Sequence, residues 1–511
     1  MLKRLPLTLL AVCLSTPVWG QSNAPNNSQV VMYSATQPTG AMASVTYYNG
    51  TPCSLGGTCN GALLNNSNNY ASSPAIGNLS SALSASIGTA LSIIPIASPS
   101  SAVITRTDSA TGALLPSSVT LGPIFAERAE TIGRHRLYLG FTNQDFHFTS
   151  FNGKSLKPLQ MMDLGGQNTG ISFGGNALLS VPATYQISLD AKLSQNVTFL
   201  TYGVTSRFDA SIGLQVVHSS ISSQVYNGVI YNGNGFTPAN GNCWCVGTYT
   251  AGTQPGTPAS PNGNGLVFPT INSSAHSATG FGDLLLRFKY TVLQQRSFSL
   301  GVGTDLRLPT GDEKNFLGTG TTSVRPFLAA SFYTKQFSNG FVIAPHVNLG
   351  WQVSGQSILA GDIVPTPKTA AVPAPGVGTF EGYGTPFVQT KNYLPDVFSW
   401  VVGTELALGP RNTIDVDFLG NQIGWYHGIP NMTTQSVSAF PPQTGTSPNQ
   451  AVTASGLVSS GRASYGQYSG AFGYKGRVYR NLVTTLNFLV RFDRNGLRDG
   501  VVPLFGLAYT F

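Results

Sequence analysis

Charge is scarce in this chain of 511 residues: Asp, Glu, Lys and Arg make up 9% of it, while Gly alone numbers 59. So few charges, with abundant Asn, Ser and Thr, suit strands, turns and long polar loops better than helices. Long apolar runs are also missing. Beyond Gly20 no run reaches 18 residues, so no helix is expected to span a bilayer. A membrane protein without spanning helices has to close a β-barrel. No basic cluster stands out. The formal charge is +8, falling by two to +6 once Lys3 and Arg4 leave with a signal segment, and the excess is dispersed. Nucleic acid is therefore not an expected partner.

Catalytic signatures are lacking too. No Gly-x-Ser-x-Gly elbow lies between a strand and a helix, and no Gly-rich phosphate loop opens a helix. The nearest Ser–His pair, His218 with Ser220, shares an outward strand face but has no third group to orient the imidazole. The chain is not expected to be an enzyme or to need a cofactor. Cysteine is rare: Cys13 falls in the export signal, leaving Cys53, Cys59, Cys243 and Cys245. An even count in an exported chain points to disulfides, with Cys53 and Cys59 the favoured pair because Ser-Leu-Gly-Gly-Thr between them is flexible. No His lies close to either pair, so no metal centre is expected there.

What is present begins at the termini. Met1-Leu-Lys-Arg4 is a basic start, Leu5 to Leu14 a short apolar stretch, and Val18-Trp-Gly20 a small-residue cleavage site, which together predict a signal peptide over 1–20. At the other end, Phe505, Leu507, Tyr509 and Phe511 recur every second residue on one face of a strand. A soluble fold would leave this greasy edge open to aggregation. An outer-membrane barrel pairs its last strand with its first and sets aromatics at the membrane interface.

Alternating stretches predict twelve strands, at 134–151, 184–203, 207–223, 277–293, 297–309, 321–335, 340–354, 395–408, 412–422, 463–476, 481–493 and 500–511. Short and long connections alternate between them, as periplasmic turns and extracellular loops do in such barrels. Residues 224–276 and 423–462 read as polar surface loops. The fold class is therefore an all-β transmembrane barrel of about twelve antiparallel strands, residues 134–511, preceded by a partly helical segment.

Alternation also assigns faces. Phe298, Leu300 and Val302, and likewise Ile343, Val347 and Leu349, point to lipid. Their neighbours point to the lumen. Charges expected inside are Asp190, Lys192, Asp209, Asp283, Arg287, Lys289, Asp305, Arg307, Arg325, Glu405, Asp415, Asp417 and Arg491, with His346 the lumenal imidazole. Signs are mixed, which suits a plugged barrel better than a strongly ion-selective pore. Folding through the turns sets Asp283 opposite Arg307, a possible ion pair, and Glu405 opposite Asp415. Two facing carboxylates need a cation between them or a shared proton; an Arg from a plug would serve.

Residues 21–73 form a low-complexity extension. Within 74–133, Ile76, Leu79, Leu83, Ile87, Ala90, Leu91 and Ile94 make one apolar helical face between Pro74 and Pro95, with Ser81, Ser84, Thr89 and Ser92 off it. A small hairpin is expected from 101–107 and 114–121. The helix needs cover, and the lumen is the favoured place. Glu127, Arg128 and Glu130 are then expected to meet wall charges such as Arg325, Asp417 and Arg491.

Four motifs in order, Gly122-Pro-Ile-Phe-Ala-Glu-Arg128 with Thr131-Ile-Gly133, Tyr202-Gly-Val-Thr205, Leu308-Pro-Thr-Gly-Asp312, and Asn495-Gly-Leu-Arg498 with Val501-Val-Pro503, resemble one family. It is the outer-membrane transporter family labelled phenol meta-pathway degradation proteins, distantly like fatty-acid and toluene uptake channels. The likeness covers about residues 75–511. It implies a substrate-uptake barrel and supplies no binding residues. The expected function is passive uptake of small hydrophobic or aromatic molecules across the bacterial outer membrane. The expected partners are the lipid bilayer, such a substrate and the barrel-assembly machinery. The alternative is a structural or adhesive barrel with a closed lumen and surface-binding loops.

Overall fold

A computed structural model describes residues 26–31, 74–96, 98, 120–157, 159–164, 182–230, 270–295, 297–334, 337, 341–365, 387–409, 411–430, 462–479 and 481–511, with isolated short strands at 44–47, 63–65, 105–107, 114–116, 172–173, 176–177, 244–246, 436–439 and 452–455. The signal segment, Cys53, Cys59 and Cys243 lie outside the described residues. Cys245 is described in its backbone alone, which pairs with Thr46.

The alternating residues form the twelve strands that the sequence predicts. They are β1 (Leu137–Phe151), β2 (Pro182–Gly203), β3 (Phe208–Ile230), β4 (Thr270–Phe281 continuing as Leu284–Gln294), β5 (Phe298–Leu308), β6 (Ser323–Phe332), β7 (Val342–Ser354), β8 (Val397–Ala407), β9 (Asn412–Ile423), β10 (Tyr465–Tyr479), β11 (Leu482–Arg491) and β12 (Val501–Thr510). Each pairs antiparallel with the next, and β12 returns to β1 with Thr510 opposite Tyr138. The amide of Phe511 donates to Leu137 O at 2.8 Å, so the last residue lies in the seam. The β12–β1 pairing closes the ring, while the extension Thr270–Phe281 and the short strand Leu159–Leu164 each keep a partner on one side alone among the described residues.

Tight turns join the strands at one end. Val204 N donates to Phe208 O at 2.9 Å, and Leu408 N to Asn412 O at 2.8 Å. At the loop end the sequence reading falls short. β2 and β3 continue to the pair Ala183–Ile230, and β4 starts at Thr270, inside the stretch read as loop. A spanning strand needs about 9–11 residues. The excess is longer than a crossing requires, and along it the ladder goes on pairing backbone groups.

Asp283 and Arg307 do not face each other. Leu285 lies opposite Arg307, and Arg287 opposite Asp305. The turn sits later than the spacing suggests, with Gln295 N bonded to Phe298 O, and a bulge follows Thr291. An even slip keeps every face and changes only the partners. Glu405 does lie opposite Asp415.

Within the N-terminal segment a helix runs from Pro74 to Ile93 and stops two residues short of Pro95. Thr105–Thr107 pairs with Leu114–Pro116 in the expected hairpin. From Ser81 to Ser92 the helix is covered on all sides, not on one face. Two of its hydroxyls are satisfied within the helix: Thr89 Oγ1 donates to Ala85 O at 2.7 Å, and Ser92 Oγ to Thr89 O at 2.8 Å.

Candidate functional site

Residues 120–133 cross the barrel interior without forming a ladder, so their amides must find partners on the wall. Short wall side chains provide them. Leu121 N donates to Thr413 Oγ1 at 3.0 Å, Gly122 N to Glu405 Oε2 at 2.9 Å, Ile124 N to Asp415 Oδ2 at 2.9 Å, Ala129 N to Ser331 Oγ at 3.1 Å and Ile132 N to Asp209 Oδ2 at 2.8 Å. Lys475 Nζ and Thr291 Oγ1 donate in return to the carbonyls of Pro123 (2.7 Å) and Ala129 (2.8 Å). Two wall glycines admit the crossing chain. A methyl at Gly301 would lie 2.7 Å from Ala129 O, and one at Gly473 2.1 Å from Ile124 Cδ1.

The charges of this segment are neutralised by the wall. Glu127 accepts from Arg287 Nη1 and Lys289 Nζ, both at 2.8 Å. Arg128, fully buried, donates to Glu405 at 2.9 Å, so a guanidinium of the plug stands beside the facing carboxylates Glu405 and Asp415. Burial alone would lower the Arg128 pKa; the carboxylate of Glu405, with Tyr333 and Glu130, raises it above the ordinary value. Glu130 accepts from Tyr333 Oη at 2.9 Å.

None of the expected partners Arg325, Asp417 and Arg491 meets a charge of the segment, although Asp417 Oδ2 accepts from its Phe125 amide at 3.4 Å. Arg325 donates to Asp305 at 2.6 Å, which also takes Arg287 Nε at 2.6 Å. Asp417 Oδ1 meets His346 Nε2 at 2.5 Å. Arg491 bonds Ser150 Oγ. The crossing lies at the turn end of the wall, near Asp209, Ser331 and Thr413, whereas Arg325 and Arg491 sit towards the loop ends of their strands.

Arg307 reaches the helix, donating to Leu91 O at 2.7 Å. Asp283 holds a loop. Its carboxylate accepts from Gly311 N at 3.2 Å, Thr319 N at 2.8 Å and Thr319 Oγ1 at 2.7 Å. Thr310 Oγ1 donates to Gly282 O at 2.7 Å, so Leu308-Pro-Thr-Gly-Asp312 clamps the break in β4. Phe316 and Leu317 from this loop pack in the apolar cluster that contains Leu83, Ile87 and Leu91.

Asp190 and Lys192 are not lumenal. On β2 the buried parity is Leu189, Ala191, Leu193, Val197 and Phe199, and Asp190 points outward with Lys192 and Lys157 at 3.3 and 2.9 Å. The helix packs its apolar residues against that stretch, so the apolar side turns inward. Sequence reasoning passed over Lys475 and Tyr333. Asn348, read from the alternation as inward-facing, donates from Nδ2 to Glu127 O at 2.9 Å. Lys475 and Tyr333 lie near strand ends. The parity shared by Lys475, Gly473 and Ala471 was the available signal for the first.

Among the described residues, two of the voids beside the N-terminal segment meet at Ile94 and Pro95. One of about 100 Å³ lies among Ile94, Phe125, Leu285, Phe327 and Val401, with Arg307, Arg325, Asn348 and Gln352 around it. The other, about 80 Å³, lies across Ile94 and Pro95 against Phe146, Phe148, Leu489 and Val502, with Arg491 and Arg498 at its margin.

The family model described as "Putative MetA-pathway of phenol degradation" matches residues 180–366. It is the family that the motifs resemble. The matched segment runs from β2 through β7 and holds the Leu308–Asp312 clamp and the Arg287–Asp305 pair. The described strands close into a twelve-stranded antiparallel β-barrel. Among solved structures, the COG4313 outer membrane channel from Pseudomonas putida F1 is similar at 10% identity and a TM-score of 0.37, over 75% of this chain and 98% of that one. The Ralstonia pickettii toluene transporter TbuX (10%, TM-score 0.28, 74% and 90%) and the CymD monoaromatic hydrocarbon channel (8%, TM-score 0.27, 74% and 88%) are more distant. No curated protein matches the chain in sequence.

Proposed function

We propose that this barrel is a passive uptake channel for small hydrophobic or aromatic molecules, with residues 74–133 as its plug. The observation that carries the reading is the pair of voids, about 100 and 80 Å³, on either side of Ile94 and Pro95 inside the wall. A dry cavity of about 150 Å³ holds a benzene. Each chamber alone is smaller than that, and the two joined by a shift of Ile94 would reach the scale of one aromatic ring. The second is lined mainly by apolar side chains, while the first sets Ile94, Phe125, Leu285 and Phe327 against the charged groups Glu127, Arg287, Asp305, Arg307 and Arg325, so a small solute would meet both apolar surface and placed polar groups. The narrow lumen of a twelve-stranded barrel limits the solute to a small one. The degradation pathway in the family label concerns what happens to such a solute afterwards, and the chain itself is read as non-enzymatic.

The test is influx of a toluene-sized aromatic alcohol into lipopolysaccharide-containing vesicles carrying the purified protein. Influx should exceed that of protein-free vesicles and saturate. Phe327→Trp, which fills the first void, should slow it. Influx equal to the protein-free control, together with tight binding of the loops to a cell surface, would instead support the adhesive reading.

A further inference from the structure

Three adjacent strands converge on an unassigned cluster in the lumen. His346 on β7, Gly403 on β8 and Asp417 on β9 lie side by side in the ladder, and Asp415 follows two residues from Asp417 on the same face. Because residue 403 has no side chain, His346 and Asp417 meet across it. A methyl at Gly403 would stand 2.0 Å from Asp417 Oδ1 and 2.6 Å from His346 Nε2. One donor atom each from His346, Asp415 and Asp417 lies within 4.8 Å of the others. All three side chains are buried.

The carboxylates divide their oxygens between two tasks. Asp415 Oδ2 accepts from Ile124 N at 2.9 Å, and Asp417 Oδ2 from Phe125 N at 3.4 Å. These bonds hold the crossing segment. Asp417 Oδ1 turns to His346. Asp415 Oδ1 is buried and has no hydrogen-bond partner among the described residues. An unsatisfied buried carboxylate oxygen is costly and calls for an explanation. A protonated imidazole would balance Asp417 but would leave that oxygen alone. Arg128 does not reach it either, being bonded to Glu405 at 2.9 Å.

We propose that His346, Asp415 and Asp417 bind one first-row divalent cation, zinc foremost, between the wall and the crossing segment. One imidazole nitrogen with carboxylate oxygens is a donor set suited to zinc, and less to magnesium or calcium, which prefer oxygen alone. Ligands at about 2.0–2.2 Å from zinc stand roughly 3–3.5 Å apart in a tetrahedron. Small side-chain rotations bring the three donors to that spacing. A water or Glu405 completes the shell. The ion would tie β7 to β9 and, through the two Oδ2 atoms, fix Ile124 and Phe125 in the lumen. It would be a latch on the plug and not a catalytic centre.

The test uses the full-length folded protein in detergent, stripped with EDTA and titrated with zinc chloride by calorimetry, with metal content read by mass spectrometry. One equivalent should bind, and the temperature of heat-modification on gels should rise. Asp417→Asn and His346→Gln, which conserve shape, should each weaken zinc binding at least 10-fold while still migrating as folded barrels. His218→Ala, at an outward position, should bind as the unsubstituted protein does. The proposal is overturned if the stripped protein takes up no zinc at micromolar concentration, or if both lumenal variants retain full affinity. The first outcome would leave a protonated His346 as the partner of Asp417.

Discussion

Two stretches of wall use the same two-residue alternation in opposite senses. On the loop-side half of β1–β3 the inward parity is apolar, with Phe146, Phe148, Leu189, Leu193 and Ile221 packed in the cluster of the plug helix, while Asp190 and Lys192 face out. On β4–β10 the inward parity carries Arg287, Asp305, His346, Glu405, Asp415 and Lys475, all buried, and Leu328, Phe418 and Phe472 are exposed to the outside. Which parity is apolar depends on what lies on each side at that height. Within the membrane lipid is the apolar phase. Above it the Ala- and Ser-rich helix takes that part, and water lies outside.

The largest effect should come from the charged stretch. Arg128→Ala leaves Glu405 facing Asp415 with no guanidinium, and breaking a buried pair costs about 3–5 kcal/mol. The heat-modification temperature should fall and single-channel conductance rise. Unchanged conductance would mean that the segment does not obstruct the lumen. Next, Leu83→Ala on the fully covered helix should cost roughly 2–3 kcal/mol, in the lower part of the range for such truncations. Denaturant midpoints on refolded protein can measure this, and a loss under 0.5 kcal/mol would show that the helix is not packed as described.

Overfilling should do less. Gly473→Val pushes against Ile124, and such insertions cost about 1–3 kcal/mol. Protection of the Ile124 amide in hydrogen exchange should drop while β10 stays protected; equal protection at both would contradict the close approach. The smallest effect is expected for Lys192→Leu, within ~0.5 kcal/mol, because an exposed ion pair contributes little. A loss as large as that of Arg128→Ala would place Lys192 in the interior after all, and the contrast between the two stretches would collapse.

Much of this was legible in the spacing of apolar residues. The strand number, the alternation of short and long connections, and the inward parity of β5 and β7 all follow from the pleat, which leaves few choices when lipid covers one side. Partners were less legible. Asp283 and Arg307 share a face as expected, but a late turn and a bulge re-pair them, and neither leaves a mark in composition. Asp190 and Lys192 failed for another reason. The rule that puts charge in the lumen assumes lipid outside and water inside, and both assumptions lapse where β2 rises above the membrane beside the helix. The facing of Glu405 and Asp415 needed only a turn length; that Arg128 stands there required knowing where the crossing segment enters.

The segment 120–133 joins β1 at the turn end, yet Asn27, far earlier in the chain, bonds Ser219 and Asn315 at the loop end. The chain therefore runs the height of the lumen before the first strand begins. Leu359 and Leu394 close over Gly88 from above. A barrel already sealed at the β12–β1 seam would have to admit this stretch lengthwise, past loops that cover its destination. The contacts that hold the N-terminal segment thus reach both ends of the same lumen that the seam beside Phe511 encloses.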